Sequence, residues 1–253
     1  MTYEIKQEKH FKYIEEGEGP VLILLHGLFG ALSNWKDVIC EFSPRYKVVI
    51  PLMPLYSFPS LLTNVKNLSK YIHKFTLYKN YQSYSLIGNS LGGHVALVYA
   101  LRHPEKVKRL VLTGSSGLYE NSSMGGTYPK RGDYDFIKGK VEYTFYDPST
   151  ATKALVDEVF EIVNNRIKIL KILALAKSAI RHNMSKELPK LTIPTCLIWG
   201  KNDTVTPPEV GEEFHKLLPQ SDLFWIDKCG HAPMMEHPHE FNKILSDWLE
   251  KRV

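Results

Sequence analysis

Tyr84-Ser85-Leu86-Ile87-Gly88-Asn89-Ser90-Leu91-Gly92-Gly93 decides how this chain is read. Its first four residues suit a strand buried on both faces, and from Leu91 to His103 the apolar residues follow a helical period. The serine between them, in the pattern Gly-x-Ser-x-Gly, falls in a tight and strained turn. Gly88 and Gly92 are needed where a Cβ would collide with neighbouring backbone. A helix starting at Leu91 aims its unpaired N–H groups and the positive end of its dipole at any oxyanion formed at Ser90. The pentapeptide also occurs in ordinary turns; the strand before it, the helix after it and the added Gly93 separate this case from those.

Working outward, short apolar runs recur at Val21 to Leu25, Tyr46 to Ile50, Val107 to Leu112, Thr195 to Trp199 and Leu223 to Ile226. Segments of helical period lie between or after them, at Ser33 to Phe42, Leu61 to Phe75, Pro208 to Leu218 and Pro238 to Lys251. The alternation predicts βαβ units in an α/β fold with a doubly wound, mostly parallel sheet. Ahead of it, Tyr3 to Ile5 and His10 to Ile14 alternate as a β-ribbon. After Thr113 the pattern breaks for about eighty residues, until Ile193. The expected organisation is a core domain of residues 1–113 and 190–253 with a helical cap, 114–189, inserted in it. Gly114 to Lys140 reads as loop, and Ala151 to Asn183 as two or three amphipathic helices.

Composition is ordinary for a globular chain of 253 residues, with 43% hydrophobic and 23% charged residues. The net charge of +5 comes without a basic run of the kind nucleic acid needs, so no nucleic-acid partner is expected. Cys40, Cys196 and Cys229 are odd in number and show no C-x-x-C spacing, which predicts reduced thiols. The N-terminus lacks a signal-like apolar region and no run is long enough to span a bilayer. A cytoplasmic protein with no membrane partner is the expectation.

His26-Gly27-Leu28-Phe29-Gly30 follows the strand Val21 to Leu25. With the Ser90 turn, it makes the chain resemble the α/β-hydrolase superfamily along nearly its whole length. The resemblance implies an oxyanion hole built from the backbone N–H groups of Leu28 and Leu91, each such donor contributing roughly 3–4 kcal/mol to transition-state stabilisation. His26 reads as structural, fixing the loop through hydrogen bonds.

The superfamily's order of serine, acid and histidine implies the rest of a triad. Asp203 lies in Trp199-Gly200-Lys201-Asn202-Asp203-Thr204, just past a strand, where catalytic groups of open α/β sheets gather. His231 lies in Cys229-Gly230-His231-Ala232, past the next strand and before Glu236-His237-Pro238. Thr113 to Gly117 has no carboxylate to serve in place of Asp203, and Asp227 is too close to His231 in sequence for good geometry. His231 then takes the Ser90 proton and Asp203 orients the imidazole, with a rate rising through a midpoint near the ordinary histidine value of about 6.5. No cofactor or metal is implied.

A serine in the turn excludes the branches of the superfamily that carry an aspartate there. Cleavage of a carboxylic ester or thioester of a small apolar or aromatic molecule is the primary expectation, with Phe29, Asn89, Tyr119 and Phe160 as substrate-binding candidates. Leu118, Met124, Tyr128 and Phe136 also suit an apolar pocket wall or simple cap packing. Asn89 and Cys229-Gly230-His231 resemble the C–C bond hydrolases that act on meta-cleavage dienoates. That group's cap arginine has no counterpart in Asp157-Glu158-Val159-Phe160, and its tryptophan after the histidine is replaced by Ala232. Arg166 or Arg181 is left to supply the missing cation. A non-catalytic small-molecule receptor on the same fold is the reading from a different class.

Overall fold

A computed structural model describes residues 3–29, 35–59, 62–120 and 132–251. Eight strands form one sheet: β1 Lys6–Glu8, β2 Phe11–Glu16, β3 Val21–Leu25, β4 Lys47–Pro51, β5 Tyr84–Asn89, β6 Val107–Thr113, β7 Thr195–Gly200 and β8 Ser221–Ile226. Their order across the sheet is β1-β2-β4-β3-β5-β6-β7-β8. β3 to β8 run parallel, and the β1–β2 hairpin joins antiparallel at β4. Helices α1 Lys36–Phe42, α2 Val65–Tyr78, α3 Leu91–Arg102, α4 Tyr134–Glu142, α5 Lys153–Asn164, α6 Arg166–Arg181, α7 Pro208–Leu217, α8 Pro233–Glu236 and α9 Pro238–Lys251 complete the fold.

The central strands are mostly apolar because both faces are covered. Ile23 and Leu25 of β3 face one cluster with α2, α3 and α7, through side chains such as Phe75, Val95 and Phe214. Leu22 and Leu24 face the other, with Trp35, Val38 and Phe42 beside α1 and Phe241, Leu245 and Trp248 from α9. This is the period-2 alternation of a strand serving two cores. Burial of each large apolar side chain contributes roughly 1.5–3 kcal/mol, so the strand ends are held by a well-anchored scaffold. α3 is buried on nearly all sides, from Leu91 to Ala100, which suits its dense run of apolar and small residues.

Several boundaries differ from the sequence reading. The first ribbon strand is Lys6–Glu8, later than Tyr3 to Ile5, because a two-residue turn at Lys9-His10 pairs Glu8 directly with Phe11 and sets the register. α2 starts at Val65 because Asn64 caps it, its side chain accepting from the Asn67 N–H at 2.9 Å. Part of the stretch read as loop is α4, started by Asp133, whose carboxylate accepts from the Phe136 N–H at 2.9 Å. Helical signal within that Gly- and Tyr-rich stretch was too short to stand out. The Ala151 to Asn183 stretch holds two helices, parted where Asn165 ends α5 and caps α6. Met124, Tyr128, Gly30 and the Ser33 start of the first predicted helix lie outside the described residues.

Between β6 and β7, helices α4, α5 and the first half of α6 share a third apolar cluster, with Ile137, Val156, Ile162 and Ile172 buried in it. Leu28 and Phe29 after β3, and Met235 just past His231, pack against the same cluster. The second half of α6 joins the main core through Leu175 and Ala179. These helices therefore lie over the strand ends.

Candidate active site

Ser90 stands between β5 and α3 with φ 54° and ψ −123°, a left-handed conformation that is strained for a residue with a side chain. The turn is tight enough that a Cβ on Gly88 would lie 2.5 Å from the Gly92 carbonyl oxygen, and one on Gly92 would overlap the Leu25 carbonyl. The strain is held by backbone hydrogen bonds. The Ser90 N–H donates to the Thr113 carbonyl at 3.2 Å, and the Ser90 carbonyl accepts from the N–H groups of His94 and Ser116, each at 3.2 Å.

The loop after β3 closes against this turn, since a Cβ on Gly27 would lie 3.3 Å from the Ser90 Cβ. His26 holds the loop: its Nδ1 bonds the Gly27 carbonyl at 2.9 Å and its Nε2 accepts from the Met53 N–H at 3.1 Å. Burial pushes its pKa below the ordinary value, and the neutral ring has one donor and one acceptor, which is what these two partners require. Gly27, which precedes Leu28, thus meets the Ser90 turn from one element, and Leu91 opens the helix that follows it from another.

Asp203 lies in the β7–α7 loop with its carboxylate fully buried. Oδ1 accepts from the N–H groups of Val205 and Thr206 at 2.8 and 2.9 Å, and Oδ2 from the Thr206 hydroxyl at 2.9 Å. His231 Nδ1 approaches Oδ2 at 2.9 Å. Burial alone would lower the His231 pKa, but the charge and hydrogen bond of Asp203 outweigh it and raise the pKa above its ordinary value. Asp227, the rival acid, is exposed at the surface and paired with Lys201 at 3.7 Å.

His231 is tied to the Ser90 side by Asn89, whose amide donates to the His231 carbonyl at 3.2 Å and to the Thr113 carbonyl at 3.1 Å. A substrate-binding candidate in the sequence reading, Asn89 has its amide group committed to joining the ends of β5 and β6 to the His231 loop. From the other side, the His231 N–H donates to the Thr144 carbonyl at 2.9 Å, in the segment after α4.

Of the remaining candidates, Phe29 and Phe160 pack against the cluster of α4–α6, Phe160 with its ring 5.2 Å from that of Tyr134. Tyr119 is half exposed and lines a separate cavity of about 480 Å³ with Leu118, Asn183, Glu209 and Glu212. Arg166 and Arg181 are both on exposed positions of α6. Lys168, on the same helix, instead sits 5.5 Å over the Tyr56 ring, and Tyr56 packs against both the core and the α4–α6 cluster.

Three functional-site side chains escaped the sequence. Thr206 bonds Asp203 and lies 3.3 Å from His231 Nδ1; the Asp-x-x-Thr spacing of a side-chain-capped turn was the available signal. Glu236 bonds the backbone around His231 and was seen only as part of Glu236-His237-Pro238. Glu120, beyond β6, is partly buried, bonded to the Ser116 side chain and close enough to His231 for their charges to interact; burial first of all raises its pKa. No local pattern marks it, because the fold brings it there. Cys229 is buried, and burial followed by the Glu236 charge pushes its thiol up, which disfavours it as a second nucleophile.

A strained serine between a parallel strand and a buried helix, beside a buried His–Asp pair on later strand ends, defines the class, and the chain belongs to the alpha/beta hydrolase fold family, which matches residues 20–142 and 168–238. It is a hydrolase of that family. It is 49% identical to MGS-MChE2, an alpha/beta hydrolase enzyme from the metagenome of lagoon sediments at Mar Chica, Morocco. The match covers 98% of this chain and 99% of that one, with a TM-score of 0.82. It is 27% identical to a 2-hydroxy-6-oxononadienedioate/2-hydroxy-6-oxononatrienedioate hydrolase of a Pseudomonas species, over 91% of this chain and 88% of the relative. It is 26% identical to a monoacylglycerol lipase of Xenopus laevis, over 92% of this chain and 76% of the relative.

Proposed function

We propose that the protein is a serine hydrolase cleaving a carboxylic ester of a small apolar or aromatic substrate through an acyl-enzyme on Ser90. The observation that carries this reading is the buried His231 Nδ1–Asp203 Oδ2 contact of 2.9 Å beside the Ser90 turn. His231 accepts the Ser90 proton as the hydroxyl attacks the ester carbonyl, and Asp203 stabilises the imidazolium so formed. The tetrahedral oxyanion rests on the N–H groups of Leu28 and Leu91, and the imidazolium returns its proton to the leaving alcohol. Water, activated by the same histidine, then releases the acid. Residues 114–189 act as a cap whose apolar cluster, with Phe29 and Phe160 at its edge, receives the acyl or aromatic group.

The test is a fluorophosphonate probe together with p-nitrophenyl esters of increasing acyl length. Labelling of Ser90 and turnover abolished in Ser90→Ala support the reading; a folded protein that neither labels nor turns over any ester is a receptor instead.

The relatedness to a dienedioate hydrolase favours C–C bond cleavage as a second reading. That reaction needs a cation to gather a dienolate. Lys168 turns inward over the Tyr56 ring whereas Arg166 and Arg181 are exposed, which makes it the first candidate, but Glu158 lies close enough for its charge to interact with Lys168. The ester reaction needs no such cation.

A further inference from the structure

α6 is amphipathic in an unusual sense. It buries Ile169, Ile172, Leu175 and Ala179, yet its outer side carries Ile167, Leu170 and Ile180, which are 67%, 55% and 56% exposed. Single exposed apolar residues need no explanation, but three along one side of one helix do. The charged residues among them, Arg166, Lys177 and Arg181, are also exposed and all positive.

The neighbouring helix continues this pattern. α2 meets α6 where the Val65 N–H donates to the Ser178 hydroxyl at 3.2 Å. Its exposed Lys66, Lys70 and Lys74 recur every four residues, on one side of the helix. Together the two helices hold eight of the chain's 32 Lys and Arg residues and none of its 27 carboxylates, so the remainder of the molecule is net acidic. Just past α6, the His182 pKa is held below the ordinary value by burial first and then by the Lys66 charge, which places Lys66 close to the end of α6, while Glu187 pulls the other way. Lys168 and Lys171 turn inward, to the Tyr56 ring and the Phe58 carbonyl, so the six outward cations are those of the exposed positions.

We propose that the outer face of α6, with the lysine edge of α2 beside it, docks the protein on an anionic lipid surface. Apolar side chains at this face enter the headgroup boundary while the flanking cations meet lipid phosphates, the arrangement of an interfacial helix. A polynucleotide would engage the cations but leave Ile167, Leu170 and Ile180 in water. A second copy of the same face would set cation against cation. The sequence reading expected no membrane partner because no segment spans a bilayer, and no described helix does; peripheral docking needs no span.

The experiment is cosedimentation of the full chain with vesicles of phosphatidylcholine alone or with about one third phosphatidylglycerol, with folding followed by circular dichroism. Binding to the anionic vesicles is expected to be at least about tenfold tighter than to neutral ones, and to weaken severalfold as salt rises from about 0.05 to about 0.3 M. The Ile167→Glu/Leu170→Glu variant is expected to lose about tenfold or more in vesicle binding, and Lys177→Gln/Arg181→Gln several-fold, with both still folded. Equal binding to both vesicle types overturns the proposal. So does anionic binding that survives both variants, a preference for duplex DNA that Ile167→Glu/Leu170→Glu leaves intact, or a solution dimer which that variant dissociates. Ester turnover without vesicles plays no part in the readout, so this proposal fails or stands separately from the assignment of Ser90.

Discussion

The Glu236 carboxylate accepts the Gly230 backbone N–H at 2.7 Å, one residue before His231. Its other oxygen accepts the N–H groups of Tyr146 and Asp147 at 2.7 and 3.2 Å. One side chain at the end of α8 thus pins the histidine loop to the segment that follows α4.

Glu236→Ala leaves those three N–H groups without this acceptor, at a cost of about 1–3 kcal/mol. The expected outcome is a lower midpoint in chemical denaturation and a fall in kcat, with Glu236→Gln intermediate because it keeps one acceptor oxygen. A variant that unfolds at the wild-type midpoint and turns over normally would show that the loop is held by Asn89 and Thr144 alone.

Asp203→Asn keeps the shape of the buried site but turns an acceptor toward a donor, so the imidazole loses its orienting partner and its stabilising charge. A fall in kcat on the order of 10⁴ is expected for ester turnover, with Ser90 still present but labelled far more slowly by a fluorophosphonate. Activity within a few-fold of wild type would move the role of acid to another residue, with Glu120 the first to be examined.

The rate should rise with pH as His231 loses its proton, since only neutral imidazole accepts from Ser90. Because Asp203 outweighs burial and raises the His231 pKa, the midpoint of kcat/KM is expected above about 6.5, the value an ordinary histidine would set. Glu120 adds to that upward pull. Glu120→Gln should therefore move the rising limb to lower pH while leaving the plateau rate near wild type. A limb that stays in place, or moves up, would remove Glu120 from the electrostatics of the site.

A p-nitrophenyl ester should be cleaved with a much higher kcat/KM than a 2-hydroxy-6-oxo-dienoate under the same conditions. Should the dienoate win, Lys168→Ala ought to abolish that preference while Arg166→Ala and Arg181→Ala, on exposed positions, do not.

The fold was legible because its signals are local. Val21–Leu25, Tyr84–Asn89 and Thr195–Gly200 are mostly apolar because both faces are covered, and Gly88-Asn89-Ser90-Leu91-Gly92 joins strand to helix within five residues. Asp203 and His231 were found by their place after successive strands. The reading weakened where pattern is short, as at α4, or where a turn sets the register, as at Lys9-His10.

Residue types and their spacing determined the parallel α/β sheet, the insertion after β6, and which serine, aspartate and histidine to compare. Only the tertiary structure decided that Asn89 spends its amide on the Thr113 and His231 carbonyls, that Glu236 ties the histidine loop to the segment after α4, and that Glu120 comes within electrostatic reach of the histidine; Asp203, preferred to Asp227 from the sequence, it set 2.9 Å from His231. The reason is physical. Hydrophobic period and turn chemistry act over a few residues and are written in order along the chain, whereas a charge or hydrogen bond between loops distant in sequence exists only once the sheet has set those loops side by side.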